Sequence, residues 1–211
     1  MLLTNDWYYY TSEIDNKTCN KLKALGKDRF KLALVDKHTG ETTAKERKTG
    51  RVKEHGEDKK QRISDTSWTS EQWAIDLIWP YMMRANENAG WNFDITAVES
   101  MQVTKYRSGG FYNWHKDGSS DCLSVYDMPN NKFLHGNVRK LSMSILLNSN
   151  YEGGEFQFST SSNGENKVST PKFKNAGSII IFPSFLEHRV LPVTKGTRYS
   201  LVAWFLGPPF K

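Results

Sequence analysis

The second half of the chain alternates short apolar runs with turn-forming residues, a pattern that predicts β-strands. Gly-Gly, Asn-Gly and Lys-Gly pairs stand at junctions between these runs. The eight predicted strands span residues 99–106, 111–117, 140–147, 154–160, 167–173, 178–182, 187–194 and 197–205. Many short strands in succession indicate an antiparallel sandwich or jelly roll.

The N-terminal part predicts a short helix and a polar segment. Asp15 and Asn16 precede a stretch that contains leucines, and Gly26 follows it, so a helix is expected over 15–25. Residues 37–62 have few apolar side chains and many turn formers, and we expect an exposed loop or hairpin there.

A longer helix is expected over 70–88, where apolar side chains recur every four residues. Thr69 and Gln72 have the spacing of a capping box, and Pro80 should kink or divide the helix. The tryptophan and methionine side chains of this segment are interpreted as core packing.

The pattern as a whole predicts an α+β fold that is mainly β, in a single domain covering residues 1–211. Residues 1–97 are expected to give helical and mixed support, with a basic insertion at about 37–62. Residues 98–211 are expected to form the jelly-roll core.

Charge is concentrated in one segment. The chain carries a formal net charge of +6, and residues 21–62 hold 14 Lys and Arg against 7 Asp and Glu. The simple interpretation is a solvated surface insertion. The alternative is attraction to an acidic partner or to phosphates, although interleaved acids such as Glu46 and Glu54 make the tract unlike a polybasic arm.

Cysteine usage and hydropathy predict a cytoplasmic protein. The two cysteines, Cys19 and Cys122, cannot form a disulfide framework, and the first residues lack the pattern of a secretory signal. No run of apolar residues is long enough to predict a membrane span.

Two histidines and an aspartate form a candidate metal site. His115 and Asp117 are two apart on a predicted strand, so their side chains project to one side, and His188 would come from a distant strand. Two imidazoles and one carboxylate are the ligands of a non-haem Fe(II) centre with open coordination positions. An isolated His-x-Asp is common by chance, so its weight depends on the motifs around it.

A rival ligand, His135, lies in the polar, glycine-containing segment 118–139. A long loop of this kind beside a site often serves as a lid or a recognition loop. We expect His135 to be exposed and not to bind iron.

Arg198 is a candidate anchor for an anionic co-substrate. We expect a hairpin from His188 to Arg198 with a three-residue or bulged loop at 195–197, which would place Arg198, Ser200 and Trp204 on the face of His188. The Arg198 fork suits the distal carboxylate of a 2-oxo acid whose other end chelates the metal, and Ser200 would add a hydroxyl donor.

Several motifs occur in the order found in one enzyme family. They are Tyr106-Arg-Ser-Gly-Gly-Phe-Tyr112-Asn-Trp-His115-Lys-Asp117, Leu141-Ser-Met-Ser-Ile-Leu-Leu-Asn148, Tyr151-Glu-Gly-Gly-Glu-Phe156, Phe182-Pro-Ser-Phe-Leu-Glu-His188 and Arg198-Tyr-Ser200-Leu-Val-Ala-Trp204. Over roughly residues 60–207 the chain resembles the Fe(II)/2-oxoglutarate dioxygenases, and more narrowly their prolyl 4-hydroxylase-like branch.

This resemblance implies a double-stranded β-helix. It also implies that iron is bound by His115, Asp117 and His188 and that the far carboxylate of 2-oxoglutarate is bound by Arg198. By the same resemblance, Tyr106 would direct its hydroxyl at that carboxylate and Trp204 would line the site, so that both are expected to help bind 2-oxoglutarate. The collagen-type members usually have lysine in place of Arg198, so the chain is similar to the arginine-using relatives.

The implied activity is hydroxylation of an unactivated C–H bond, with O2 consumed, succinate and CO2 released, and ascorbate as a candidate reductant. A prolyl residue in a protein or peptide is the preferred substrate. A free amino acid or another small molecule is an alternative, and the basic tract motivates oxidative demethylation of nucleic acid as another. From a different class comes a catalytically inactive metal-binding β-barrel module.

Overall fold

A computed structural model describes residues 5–33, 35–36, 55–56, 58–118, 123–162 and 165–210. Two α-helices are found there, α1 (Asn16–Ala24) and α2 (Gln72–Asn88). The strands are β1 (Tyr8–Tyr10), β2 (Lys31–Leu32), β3 (Val35–Asp36), β4 (His55–Gly56), β5 (Arg62–Ile63), β6 (Asp65–Thr69), β7 (Ala97–Val98), β8 (Met101–Arg107), β9 (Phe111–His115), β10 (Val138–Leu146), β11 (Tyr151–Gly153), β12 (Phe156–Ser162), β13 (Glu165–Ser169), β14 (Ile179–Pro183), β15 (Glu187–Val190) and β16 (Val193–Gly207).

The described strands form two large antiparallel sheets. The major sheet has nine strands, seven of them in the order β1-β14-β10-β16-β8-β6-β2, with β7 and β11 also paired to β16. The minor sheet has the order β13-β12-β15-β9-β5. The mainly β fold with N-terminal helices is thus confirmed, and each of the eight predicted strands has a counterpart, although β9, β13 and β15 end earlier than expected.

The major sheet has an apolar core on each face. On one face, α1 and α2 pack through Leu22, Ile78 and Met82 against strand residues such as Met143 and Leu201. Burying these side chains stabilises the contact between helices and sheet by the hydrophobic effect.

The other face of the major sheet packs against the minor sheet. Phe158 of β12 and Phe182 of β14 lie with ring centroids 5.0 Å apart, and Phe156 joins the same cluster. This second core holds the two sheets together at one end of the space between them. At the other end the inner face of the major sheet is polar, with Arg198, Ser200 and Thr104 buried there.

Helix α1 begins as expected. The Asp15 side chain accepts a hydrogen bond from the Thr18 backbone N–H, and this N-cap fixes the first turn. For α2 the predicted capping box is wrong, because the N-cap is Glu71 without a side-chain hydrogen bond, and Gln72 donates instead to Asp76. Helix α2 continues through Pro80 and is not divided there. Neither described helix is long and apolar enough to span a membrane.

The expected hairpin between His188 and Arg198 is wrong. β15 pairs with β12 and β9 in the minor sheet, whereas β16 pairs in the major sheet. The Lys195-Gly196 pair lies inside β16, and Gly196 has a φ of +80° opposite Tyr151. Glycine allows this left-handed conformation without ending the strand, so a turn signal was misleading here.

The polar segment 37–62 is described only at its ends. β3 and β4 pair with each other just outside residues 37–54, which lie outside the described residues. At the far end the expected surface location is wrong, because Arg62 is only 8% exposed and β5 pairs with β9.

Candidate metal centre

Three side chains converge on the face of the minor sheet that is directed at the major sheet. Two come from strands of the minor sheet, and the third comes from the segment that follows β9. His115 ends β9, Asp117 follows it, and His188 lies directly opposite His115 in the β15–β9 ladder. The Nε2 atom of His115 lies 3.7 Å from Oδ1 of Asp117, and Nε2 of His188 lies 3.6 Å from Oδ2. One ligand atom from each of the three lies within 4.8 Å of the other two. Ligands of one divalent ion are separated by about 3–4 Å, since each bond is about 2.0–2.2 Å long.

Backbone carbonyls orient both imidazoles. Nδ1 of His115 lies 2.8 Å from the Asn113 carbonyl oxygen, and Nδ1 of His188 lies 2.8 Å from the Leu186 carbonyl oxygen. A carbonyl oxygen only accepts, so Nδ1 carries the proton in each ring and Nε2 offers a lone pair. This is the tautomer that a metal-binding histidine needs.

Burial and neighbouring charges determine the protonation states at the centre. Burial holds the pKa of His115 well below its ordinary value, and nearby His188 adds to this effect while Asp117 opposes it. Burial acts to raise the pKa of Asp117, but His188, His115 and Arg139 together hold it below its ordinary value. A neutral imidazole beside an ionised carboxylate is the state in which these groups bind a metal.

Aromatic rings hold the two histidines in place. Phe156 stacks on His188 at a centroid distance of 5.4 Å, and Phe182 meets the same imidazole edge-on at 4.6 Å. Tyr112 stacks on His115 with ring centroids 3.4 Å apart. The Asp117 backbone N–H donates to the Ser184 carbonyl, which fixes the third group.

Arg198 is a fully buried cation with unused donors. Its side chain is 1% exposed, and Nη1 donates to Ser200 Oγ at 3.1 Å. Its Nε and Nη2 atoms are buried and make no hydrogen bond within the described residues. A buried guanidinium is costly unless an anion accepts from it, so these donors indicate a carboxylate-binding pocket.

The remaining candidates lie on the same inner face of the major sheet. Tyr106 is directly opposite Arg198 in the β8–β16 ladder, and the guanidinium carbon lies 5.6 Å from its ring centroid. Ser200 and Trp204 follow Arg198 at even spacing on β16, so the three share a face as predicted. The indole Nε1 of Trp204 is buried and has no hydrogen-bond partner in the described structure.

The structure adds residues that no sequence motif indicated. Glu99 holds Arg139 through two hydrogen bonds of 2.7 Å, and Tyr126 of the 118–139 segment donates to the same carboxylate. The Arg139 guanidinium covers the Trp204 ring at 4.3 Å. Glu99 is 27 residues from Tyr126 and 40 from Arg139 in the chain, so no local pattern could have grouped them.

Trp68 and Arg62 also belong to this region. Trp68 is 51% exposed, and its ring centroid lies 5.7 Å from that of Trp204. The Arg62 guanidinium lies 4.5 Å from the centroid of Tyr112.

His135 lies apart from this centre. It is exposed, as predicted, and its Nδ1 is 3.8 Å from Asp127 and accepts from the Met128 backbone N–H. The Gly-Gly pairs at 109–110 and 153–154 make a turn and a bulge, as predicted, with positive φ at Gly109, Gly153 and Gly154.

A family model described as the 2OG-Fe(II) oxygenase superfamily matches residues 101–206, half of the chain. The chain belongs to this superfamily. Its members use Fe(II), 2-oxoglutarate and O2, and the matched region contains all seven candidate site residues.

Related proteins are hydroxylases by name. A PKHD-type hydroxylase of Stenotrophomonas maltophilia (strain K279a) is 34% identical over 105 residues, which are 49% of this chain and 41% of that protein. The match therefore spans less than half the length of this curated relative.

Solved structures of this superfamily share the fold. A viral collagen prolyl hydroxylase from Paramecium bursaria Chlorella virus-1 superposes with a TM-score of 0.60 at 18% identity, covering 96% of this chain and 97% of that one. A Trichoplax adhaerens prolyl hydroxylase, solved with a hypoxia inducible factor peptide fragment, gives 0.65 at 17% identity, covering 96% and 84%. The predicted jelly-roll fold is confirmed by this likeness.

Proposed function

We propose that this oxygenase is a prolyl 4-hydroxylase-like enzyme that hydroxylates an unactivated C–H bond, with a prolyl residue in a protein or peptide as the preferred substrate. The observation that carries the proposal is the combination of two donor sets on facing sheets. One is the His115, Asp117 and His188 cluster, and the other is Arg198, which is buried and has no anionic partner among the described residues.

The residues present fit Fe(II) and 2-oxoglutarate. His115 and His188 offer lone pairs at Nε2 and Asp117 offers a carboxylate, which together leave coordination positions free for a chelating 2-oxo acid and for O2. Nε and Nη2 of Arg198 have no acceptor in the described part of the chain and are available to the distal carboxylate, and Ser200 Oγ is fixed beside them. When bound, the metal and the co-substrate supply the oxidative chemistry, with succinate and CO2 as products.

The protein's own residues orient the metal ligands, bind the co-substrate and the substrate, and exclude water. Phe156, Phe182 and Tyr112 pack around the two imidazoles and keep water from them. Tyr106 lines the Arg198 pocket, while Trp204 is also buried but contacts the half-exposed Trp68. We assign Tyr106 to the co-substrate and Trp204 to the substrate side.

The choice of a prolyl residue follows the relatives. The two solved neighbours are named prolyl hydroxylases, and one is bound to a peptide. The half-exposed ring of Trp68 beside the site is also suited to packing against a pyrrolidine ring. The single-domain division, a cytoplasmic location and the use of ascorbate remain predictions.

The test is turnover of the Fe(II)-loaded protein with 2-oxoglutarate. Proline-containing peptides, free amino acids and short oligonucleotides are incubated in parallel, and mass spectrometry detects a gain of one oxygen or loss of a methyl group. We expect succinate formation and oxidation of prolyl peptides. If only free amino acids are oxidised, the prolyl assignment is replaced by a free amino acid. If no succinate forms, whichever substrate is added, an inactive binding module is supported.

A further inference from the structure

Arg62 is a second buried cation in the space between the sheets. It is 8% exposed, its Nε donates to Ser64 Oγ at 2.7 Å, and its Nη2 donates to Gln102 Oε1 at 2.9 Å. These bonds use two of the five guanidinium N–H groups, and both acceptors are neutral. By contrast, Arg139 is paired with Glu99 and Arg107 with Asp65. No carboxylate in the described part of the chain pairs with Arg62.

The surroundings of Arg62 hold its guanidinium rigidly. Gln102 Oε1 also accepts from Thr104 Oγ1 at 3.1 Å, so the acceptor is itself fixed. The Tyr112 ring covers one face of the guanidinium at 4.5 Å. A buried, oriented fork of this kind is preorganised to bind a carboxylate through two parallel hydrogen bonds.

Arg62 lies on the substrate side of the centre, away from the Arg198 pocket. The inner face of the major sheet runs from Arg198 and Tyr106 at one end, through Ser200 and Thr104, to Val202 and Gln102. Gln102, which binds Arg62, is directly opposite the half-exposed Trp68. In the minor sheet Arg62 is directly opposite Tyr112, whose ring stacks on His115. The guanidinium therefore links the ring that stacks on His115 to the strand position beside the half-exposed Trp68.

We propose that Arg62 binds a carboxylate of the primary substrate, so that the enzyme prefers a prolyl substrate bearing a negative charge next to the oxidised residue. This inference rests on the proposed function and adds the chemical class of the substrate. The carboxylate has two sources: the terminal carboxylate of a C-terminal proline or free proline, and the side chain of a flanking acidic residue.

The test compares matched carboxylate and carboxamide probes by calorimetry. The protein is loaded with Mn(II) and 2-oxoglutarate so that binding is measured without turnover. One pair is Gly-Pro and Gly-Pro-amide. The other is an end-blocked peptide containing Asp-Pro and its Asn-Pro counterpart. For at least one pair we expect the carboxylate probe to bind about ten- to a hundredfold more tightly, the range of charge-assisted hydrogen bonds. The pair that discriminates identifies the source of the carboxylate.

Variants assign the preference to this side chain. In Arg62→Gln the ratio of carboxylate to carboxamide affinity should fall to near unity. Arg62→Lys keeps the charge, so this variant should retain part of the ratio, which guards against misreading a misfolded variant. Arg189→Gln is the matched control, because Arg189 is a partly exposed arginine of the same sheet that bonds to Gln157. It should keep the wild-type preference.

The outcomes separate this inference from the proposed function. Equal binding of both members in both pairs, or a preference unchanged in Arg62→Gln, overturns the inference. A raised KM for 2-oxoglutarate in Arg62→Gln with an unchanged probe preference would assign Arg62 to the co-substrate and also overturn it. Failure to form succinate with any substrate would reject the proposed function, and the binding comparison would still decide the role of Arg62.

Discussion

Arg198 and Tyr106 face each other across the β8–β16 ladder, with the guanidinium carbon 5.6 Å from the phenol ring centroid. Both side chains are buried, and no acidic side chain of the described residues pairs with the arginine. The fold therefore maintains a positive charge in its interior whose free donors require an external anion. This is the physical basis for assigning the 2-oxo acid to this pocket.

Replacement of Arg198 by Met should abolish co-substrate recognition. The KM for 2-oxoglutarate is expected to rise at least about tenfold, since a charge-assisted pair is worth roughly 1.5–3 kcal/mol. The thermal stabilisation of the metal-loaded protein by 2-oxoglutarate should disappear. Arg189→Gln is the control, and an unchanged KM in Arg198→Met would contradict the assignment.

The same substitution should not destabilise the protein without co-substrate. A buried charge with only one neutral acceptor is costly, so an apolar side chain of similar length is expected to be neutral or stabilising. Melting of wild type and Arg198→Met, each without ligand, checks this. A large loss of stability would mean that Arg198 is a structural residue.

Metal binding should depend on the three converging side chains. Asp117→Ala and His188→Ala should each lower the Mn(II) content after dialysis to near zero, because a facial site with two protein ligands holds the ion far more weakly. His135→Ala removes an exposed histidine, and this variant should bind one Mn(II) ion as the wild type does. Full metal content in Asp117→Ala would exclude Asp117 as a ligand.

The metal-free protein should lose stability as the pH falls below about 6.5, the pKa of histidine in an unfolded chain. Burial holds the pKa of His115 well below this value in the folded state, so the unfolded state binds more protons in that window and is favoured. In His115→Asn this contribution should be absent. Melting temperatures in EDTA between pH 7.5 and 5.5 measure it, with His135→Asn as control. An identical pH slope in wild type and His115→Asn would rule it out.

The contact between the two sheets should depend on Phe158. This side chain is 0% exposed, stacks on Trp7 at 4.8 Å and meets Phe182 at 5.0 Å. Phe158→Ala should cost about 3–5 kcal/mol of unfolding free energy and lower the melting temperature by roughly 10 °C. Phe133→Ala, at a residue that is 64% exposed, should change it little. Comparable losses in both variants would show that the inter-sheet core has been misassigned.

Strands such as β16 were predictable because one of their faces is apolar. In β16, Leu201, Ala203 and Phe205 face the helices, while Arg198 and Ser200 face the site, and this alternation is visible in the sequence. The partner of each strand was not predictable. Gly196 resembles a turn residue locally, and only its pairing with β11, more than forty residues earlier, shows that β16 continues through it.

The convergence of His115, Asp117 and His188 was predictable from the motifs, whereas Arg62 was not. Arg62 ends a basic tract and belongs to a strand of two residues, so its neighbours indicate a surface location. Its burial arises from pairing with Tyr112 and from the hydrogen bond to Gln102, both distant in the chain. Contacts of this kind are set by tertiary structure and leave no local pattern.

A crystal structure of the protein with Mn(II) and 2-oxoglutarate tests the central claim most directly. We expect one ion bound by His115, Asp117 and His188, and 2-oxoglutarate with its distal carboxylate paired to Nε and Nη2 of Arg198. A metal bound elsewhere, or a 2-oxoglutarate carboxylate that does not reach Arg198, would contradict it.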